Sequence, residues 1–355
     1  MNEAYSQLEL RILSFLERKN SPESDFNACA LDVYRFQREH NQPYDNYCKS
    51  LGASVDLKDW RQIPAVPQSA FKQFTLRAFP ERETVATFRT SGTTGEGYGS
   101  HHFCSLRLYD EAIVRGWQRL QLPKRPFYFL SQSPADAQHS SLVHMFGVMS
   151  EKLAGAGGSA FIIDRDGNMN IVRLEAFLQV SIRERRPVAL LGTALAFLNL
   201  FERWGHRTFT LPLGCLALET GGYKGSGRTL TKPELHTLFM KHLGLPSNSI
   251  INEYGMTELS SQFYTRGIGQ AHEGPHWARA LVIDPETGGE VAPGGTGVLR
   301  IFDLANLGSV LALQTQDLAI RRENGFELIG RDPAALPRGC SRSADEMLAR
   351  PAPEQ

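Results

Sequence analysis

The chain has 355 residues, with 38 basic and 38 acidic side chains that balance to zero formal charge, 41% hydrophobic residues and 10% aromatics. A chain of this length buries a large core unaided, which excludes a disulfide-stapled miniprotein and points to one large domain with an appendage, or to two domains. Zero net charge and the lack of a long basic run give no global field for nucleic acid or anionic lipid, so neither is an expected partner.

The longest apolar stretch, Val188 to Phe201, is interrupted by Gly192, Thr193 and Asn199 and is too short to span a bilayer. The start, Met1-Asn2-Glu3, has no basic region followed by an apolar core. The five cysteines (Cys29, Cys48, Cys104, Cys215 and Cys340) are scattered without a close pair, as in free thiols of a reducing compartment. Together these features lead us to expect a cytoplasmic protein without membrane insertion.

In chain order, Leu8, Ile12, Phe15 and Leu16 share one helical face within Ala4 to Lys19, and a polar, aromatic-rich helical stretch follows to about Tyr47. Residues 1–62 therefore read as a helical cap. Ile63-Pro64-Ala65-Val66-Pro67 breaks the helix and leads to Thr90-Ser91-Gly92-Thr93-Thr94-Gly95. From Phe127 short apolar runs alternate with longer amphipathic ones: Phe127–Leu130 then Ser141–Leu153, Ala160–Ile163 then Leu174–Ile182, Val188–Leu191 then Leu195–Trp204, Leu213–Leu218 then Glu234–Leu243. This alternation predicts strand–helix units on a parallel sheet, hence an α/β class over 63–279. Thr231-Lys232-Pro233-Glu234 predicts a capping box. After Ile250–Tyr254, the runs Ala280–Ile283, Val298–Phe302, Val310–Gln314 and Phe326–Ile329 predict a small, mainly antiparallel β subdomain over 280–332, before a tail at 333–355.

Three segments carry candidate chemistry. In Thr90–Gly95, hydroxyls and glycine-freed backbone N–H groups can wrap a polyphosphate, or simply form a polar turn. The run is not a Walker loop, because it lacks the required Lys. Asn252-Glu253-Tyr254-Gly255-Met256-Thr257-Glu258 lies past a predicted strand end, where open α/β sheets bind ligands. There a Tyr ring can stack on a base and a Glu can hold a divalent cation. In Gln314-Thr315-Gln316-Asp317-Leu318 a lone acid follows a predicted strand, and can accept ribose hydroxyls.

These three segments, in this order and followed by Gly330-Arg331-Asp332, resemble the adenylate-forming enzymes, the superfamily of acyl-CoA synthetases, luciferases and adenylation domains. The resemblance spans roughly Ala65 to Asp332 and implies that superfamily's large-domain fold, with ATP and Mg²⁺ as cofactors. It implies that Ser91, Thr93 and Thr94, within the 90–95 loop that includes Thr90, Gly92 and Gly95, cradle the β- and γ-phosphates. It further implies that Tyr254, beside Gly255, stacks on adenine, flanked by the Gly221-Gly222-Tyr223-Lys224 turn. Thr257 would contact the α-phosphate, Glu258 would bind the metal, and Asp317 and Arg331 would bind the ribose. His144 stands where the superfamily places a His or aromatic beside the acyl carboxylate, although a core-packed helical histidine reads the same way.

Two departures are visible. Glu96-Gly97-Tyr98-Gly99 replaces the usual Pro-Lys after the phosphate loop, and only a short tail follows Arg331 where a full-size lid domain with a catalytic Lys is usual. The truncation resembles the LuxE-type acyl-protein synthetases, ligases of fatty acid reductase complexes in bioluminescence, whose acceptor is an internal cysteine near the carboxy terminus. That resemblance implies activation of a fatty or other carboxylic acid, transfer to Cys340, and delivery to a reductase partner that makes aldehyde. Arg338 and Arg342 flank Cys340 and favour its thiolate. Lys224 and Arg228 are candidates to replace the lid Lys. The alternatives are a phenylacetate-CoA-ligase-like synthetase that uses coenzyme A, and a non-catalytic scaffold. His272-Glu273-Gly274-Pro275-His276 matches the letters of a zinc-protease motif, but Gly-Pro forbids the helix that would align the two histidines.

Overall fold

The computed structural model describes residues 2–90, 98–223 and 230–331, with the backbone alone described at Arg331. In chain order the described elements are α1 (Glu3–Leu16), α2 (Glu23–His40), α3 (Gln42–Ser50), β1 (Val66–Pro67), α4 (Ala70–Gln73), β2 (Ala86–Arg89), β3 (Ser100–Phe103), α5 (Arg107–Gln118), β4 (Phe127–Leu130), α6 (Ser141–Lys152), β5 (Ser159–Phe161) and α7 (Ile171–Glu184). They continue with β6 (Ala189–Thr193), α8 (Ala194–Trp204), β7 (Leu216–Thr220), α9 (Lys232–Leu243), β8 (Ile250–Tyr254), β9 (Phe263–Arg266), β10 (Ala278–Ile283), β11 (Thr296–Asp303), β12 (Ala312–Arg322) and β13 (Gly325–Arg331). The chain folds into two compact units, one of residues up to 116 with 256–262 and from 273 on, the other of residues 117–255 with 263–272.

The second unit holds the expected strand–helix alternation. Its sheet runs β5-β4-β6-β7-β8-β9, parallel throughout except for β9, which returns antiparallel to β8. The chain passes from β4 to β5 on one side and then to β6 on the other, so β4 and β6 form the switch point at which open α/β sheets leave a crevice beyond their carboxyl ends. The strands are apolar on both faces because helices cover them, as parallel sheets require. Phe197, Leu200, Phe201 and Trp204 of α8 are all at most 3% exposed and pack with Phe239 and Leu243 of α9. The apolar side of α8 is therefore core. The α9 capping box forms as expected, with Thr231 and Glu234 each accepting from the other's backbone N–H. The strand expected at Leu213–Leu218 starts later, at Leu216, because Gly214 takes a positive φ of 91° and Leu213 turns out to solvent.

In the first unit, β12 is flanked on one edge by β11 and then β10, and its other edge is shared in tandem by β1, parallel at Leu313–Gln314, and β13, antiparallel from Asp317 to Arg322. The strand expected at Val310–Gln314 thus runs on to Arg322, and Asp317 lies inside it, not after it. Trp60 packs edge-on against Phe26 and Phe302, with ring centroids 5.3 and 4.7 Å away, and its indole N–H donates to Glu23 at 2.8 Å. The amino-terminal helical stretch is broken at Asn41, whose side chain caps α3. On α1, the buried face includes Glu9, held by Arg107 at 2.9 Å, alongside Tyr5, Ile12, Phe15 and Leu16.

Gln37 of α2 is fully buried and bonded at both ends: its Nε2 donates to the carbonyls of Asn306 (2.8 Å) and Leu307 (3.1 Å), and its Oε1 accepts from Leu311 N–H (2.8 Å). Gln37→Leu strands two buried backbone groups, the Leu307 carbonyl and the Leu311 N–H, each costing about 1–3 kcal/mol unpaired, while the Asn306 carbonyl keeps the Ser309 N–H at 3.1 Å. Urea denaturation is expected to show a stability loss of at least roughly 2 kcal/mol, against less than about 0.5 kcal/mol for a change at exposed Glu3.

Candidate active site

The first unit assembles one group of the expected residues. β2 and β3 form a hairpin whose last pair is Arg89 with Ser100. Beyond it, Thr90 N–H donates to the Gly99 carbonyl at 2.9 Å, and Gly99 N–H donates to Thr90 Oγ1 at 2.8 Å. Thr90 thus clamps the base of the glycine-rich loop. A Cβ at Gly99 would sit 3.1 Å from the Thr90 side chain and 3.2 Å from the Phe71 backbone, which is why the clamp closes on a glycine. Ser91, Gly92, Thr93, Thr94 and Gly95 lie outside the described residues.

Thr257 and Glu258 are tied to the same hairpin. His101 of β3 is 2% exposed, and its Nδ1 donates to the Thr257 carbonyl at 2.8 Å. Burial pushes this imidazole down to about 4, so it is a neutral donor at physiological pH. The Thr257 hydroxyl points at the Arg89 carbonyl, 3.5 Å away. Glu258 is 3% exposed; one carboxylate oxygen accepts from Gln68 Nε2 at 3.2 Å, and its backbone carbonyl accepts from Asn306 Nδ2 at 2.8 Å. Gln68 is itself fixed by its N–H to the Gln314 carbonyl at 2.9 Å, which brings Glu258 to the start of β12. Three residues along that strand stands Asp317, 8% exposed, with its N–H donating to Thr315 Oγ1 at 3.1 Å. In the β12–β13 register Asp317 lies directly opposite Arg331.

The second unit carries another group at the carboxyl ends of β7 and β8. Gly221 follows β7 with φ of 67°, a conformation open to glycine, and a Cβ on Gly222 would meet nothing within 4 Å. Packing among the described residues therefore does not require glycine at 222. Tyr254 ends β8, just before Gly255, with its ring edge-on to Phe263 (6.3 Å) and His272 (6.2 Å). Asn252, two residues earlier, joins three side chains: its Nδ2 donates to Glu219 at 2.7 Å, and its Oδ1 accepts from Lys232 Nζ at 2.9 Å and contacts His272 Nε2 at 2.6 Å. Thr220 donates to the Glu253 carboxyl group. Burial pushes the carboxyl groups of Glu219 and Glu253 up to about 7, partly offset at Glu219 by the Lys232 charge. Sequence reasoning did not single out Glu219, Lys232 or His101 for the site. The only trace of Glu219 and Glu253 is a carboxylate at the next-to-last position of a mostly apolar strand.

His144 lies on α6, the helix after β4, and is half-buried between the buried Val143 and Met145. Lys224, Arg228 and Cys340 lie outside the described residues. His272 and His276 are not on a helix; His276 bonds the Phe15 carbonyl at 2.8 Å. Among the described residues no group of three or more His, Cys, Asp or Glu side chains could hold a metal. None of the described helices is long and apolar enough to cross a membrane.

Solved structures place this architecture. It aligns with 2-hydroxyisobutyryl-CoA ligase in an open conformation, described in complex with 2-HIB-AMP and CoA, at a TM-score of 0.65 and 15% identity over 88% of this chain and 76% of that one. The same ligase in its postadenylation state aligns at 0.63, covering 88% of this chain and 69% of that one. The fold is the α/β large-domain fold of the adenylate-forming ligases, with a parallel sheet and amino-terminal helices. The sequence profile of the family described as "Acyl-protein synthetase, LuxE" matches residues 9–349, and the chain belongs to that family. It is 23% identical to the long-chain-fatty-acid–luciferin-component ligase of Vibrio harveyi over 88% of this chain and 85% of that protein. Its identity to the Aliivibrio fischeri ligase of the same name is 22%, over 90% and 87%.

The buried carboxyls give a pH test. A carboxyl raised in the folded state keeps its proton between about pH 4.5 and 7 while the unfolded chain has lost it, so stability falls as pH rises through this window. Glu219→Gln removes that dependence. Its stability relative to wild type is expected to rise by of the order of 2 kcal/mol between pH 5 and pH 8 in urea titrations. A difference independent of pH would contradict the buried-carboxyl account.

Proposed function

We propose that the chain uses ATP to activate a carboxylic acid of the fatty-acid class, passes the acyl group to Cys340, and delivers it to a reductase partner that releases aldehyde. The acyl-protein synthetase family and the names of its fatty-acid ligase relatives support the reaction class. The observation that carries the acceptor is the state of the other thiols. Cys29, Cys48, Cys104 and Cys215 are all buried, and burial pushes Cys29 and Cys48 up to about 11 and raises Cys104 and Cys215 as well. A nucleophilic cysteine needs access and a lowered pKa. Cys340, between Arg338 and Arg342, is the remaining cysteine.

In the first step a carboxylate oxygen attacks the α-phosphorus of ATP, the bond to the β-phosphate oxygen breaks, and pyrophosphate leaves. Catalysis of this step is positioning and charge stabilisation. Thr257 contacts the α-phosphate, the Thr90-clamped loop with Ser91, Thr93 and Thr94 holds the β- and γ-phosphates, and Asp317 and Arg331 hold the ribose. Glu258 fits Mg²⁺, which is commonly held by one or two carboxylates together with substrate phosphates. The metal supplies charge neutralisation on the phosphates. The family resemblance further assigns Tyr254 to stack on adenine beside Gly221 and Gly222, His144 to face the acyl carboxylate, and Lys224 or Arg228 to supply a cation at the α-phosphate. In the second step the Cys340 thiolate attacks the acyl carbonyl, the carbonyl–phosphate C–O bond breaks, AMP leaves, and a thioester remains.

Incubation with Mg-ATP and radiolabelled acids from acetate to palmitate tests the acceptor. Hydroxylamine-labile label is expected on wild type and on Cys48→Ser, and absent from Cys340→Ser, with the strongest labelling by long chains. Pyrophosphate release without protein label would redirect the acyl group to coenzyme A. Neither signal with any acid would favour a scaffold.

A further inference from the structure

At the amino-terminal end of the parallel sheet, where β4, β6 and β7 begin, lies a cavity of about 320 Å³ whose walls include Lys124, Arg125 and Arg186 among Pro123, Pro126 and Pro187. Among the described residues the lining holds no carboxylate. Arg125 is 7% exposed and has no ion-pair partner among the described residues; its guanidinium donates to the carbonyls of Pro123 (3.0 Å) and Gly214. Burial lowers its pKa, Cys215 acts against that and Arg266 with it, and the net lowering means that its surroundings disfavour the charge they contain. Arg186 presents a buried Nε–H with no hydrogen-bond partner among the described residues. Its Nη2 lies 3.3 Å from Glu184, a carboxylate that Arg183 contacts as well, at 3.4 Å. Gly157, at φ of 100°, makes room for this guanidinium: a Cβ there would lie 3.4 Å from Arg186 Nη1 and 3.0 Å from Pro126.

An uncompensated buried cation is costly, and an orphaned buried N–H adds of order 1–3 kcal/mol. Both penalties vanish if an anion sits between the cations. We propose that this cavity binds a compact oxyanion of the phosphate class. Buried Arg125, part-exposed Arg186 and, at the rim, exposed Lys124 carry three positive charges against the one carboxylate of Glu184, a balance that matches a dianion better than a monoanion. The walls of the site belong to strand starts, whereas Gly221, Gly222 and Tyr254 follow strand ends. A five-residue strand such as β6 separates the two ends of the sheet by about 16 Å, so an occupant here is not the nucleotide of the proposed reaction.

The test is thermal unfolding of the full chain in inorganic phosphate, sulfate, acetate or chloride at fixed ionic strength. Phosphate is expected to raise the wild-type midpoint saturably above chloride, as binding to the folded state requires. The shift should persist in Thr257→Val, and weaken at least tenfold in apparent affinity in Arg186→Met and measurably in Lys124→Met. Arg186 and Lys124 are not buried, so both variants should unfold in chloride near wild type. A phosphate shift unchanged in Arg186→Met, or no shift beyond chloride in wild type, overturns the site. Acetate acting as strongly as phosphate overturns the phosphate assignment in favour of a carboxylate ligand.

Discussion

The position of Glu258 depends on one buried turn. Asp303 ends β11 with no exposed surface; its carboxylate accepts from Ser260 N–H (2.9 Å), Ser261 Oγ (2.7 Å) and Ala305 N–H (3.0 Å). Asn306 accepts from Ser260 Oγ at 2.6 Å and donates to the Glu258 carbonyl. A segment without regular structure can be buried only if its backbone polar groups are paired; Asp303 takes the Ser260 N–H, Asn306 the Glu258 carbonyl, and the Met256 carbonyl the Leu259 N–H. Gln37 then binds the Asn306 carbonyl from the amino-terminal helices. The helical cap is thus part of the device that fixes the candidate metal ligand. Burial raises the Asp303 pKa while its three N–H and O–H donors oppose that rise, a balance that only a fully bonded carboxylate sustains.

The Tyr254–Glu258 element divides its chemistry between two frameworks. Tyr254 and Gly255 belong to the unit of the parallel sheet, whereas Met256, Thr257 and Glu258 belong to the unit of the antiparallel strands. On the first side, order comes from the network of Glu219, Asn252, Lys232 and His272, where low polarity keeps two carboxyls near neutrality and couples the start of α9 to the end of β8. On the second, it comes from neutral donors: His101 to Thr257, Gln68 and Asn306 to Glu258. Both arrangements hold a reactive side chain by bonding the atoms around it, and such preorganisation is what positional catalysis requires.

Much of this was legible in the sequence. Phe127–Leu130 and Ile250–Tyr254 form strands with the expected bounds, because short apolar runs between amphipathic helices leave little freedom of period or register. The capping box at Thr231 was readable because both partners lie within four residues. What sequence concealed was long-range. His101 and Thr257 are 156 positions apart and Gln68 and Glu258 are 190 apart, and no local pattern announces such pairs. β12 outran its apolar run because Asp317 pairs with Arg331 of β13, and Thr315, at the irregularity between β11 and β12, donates its hydroxyl to the Leu299 carbonyl at 2.8 Å. Leu195–Trp204 reads in sequence only as an amphipathic helix; that most of its apolar side chains are core is settled by what packs against it.

The central claim is that the anchored Thr257–Glu258 pair supports adenylation of a carboxylic acid. The most direct measurement is carboxylic-acid-dependent exchange of labelled pyrophosphate into ATP, in wild type and in Glu258→Gln, across acids of increasing chain length. The account predicts exchange by wild type that depends on both the acid and Mg²⁺, and a drop on the order of 100-fold in Glu258→Gln with the fold intact. Exchange equally fast in the variant, or no exchange by folded wild type with any acid, would contradict it.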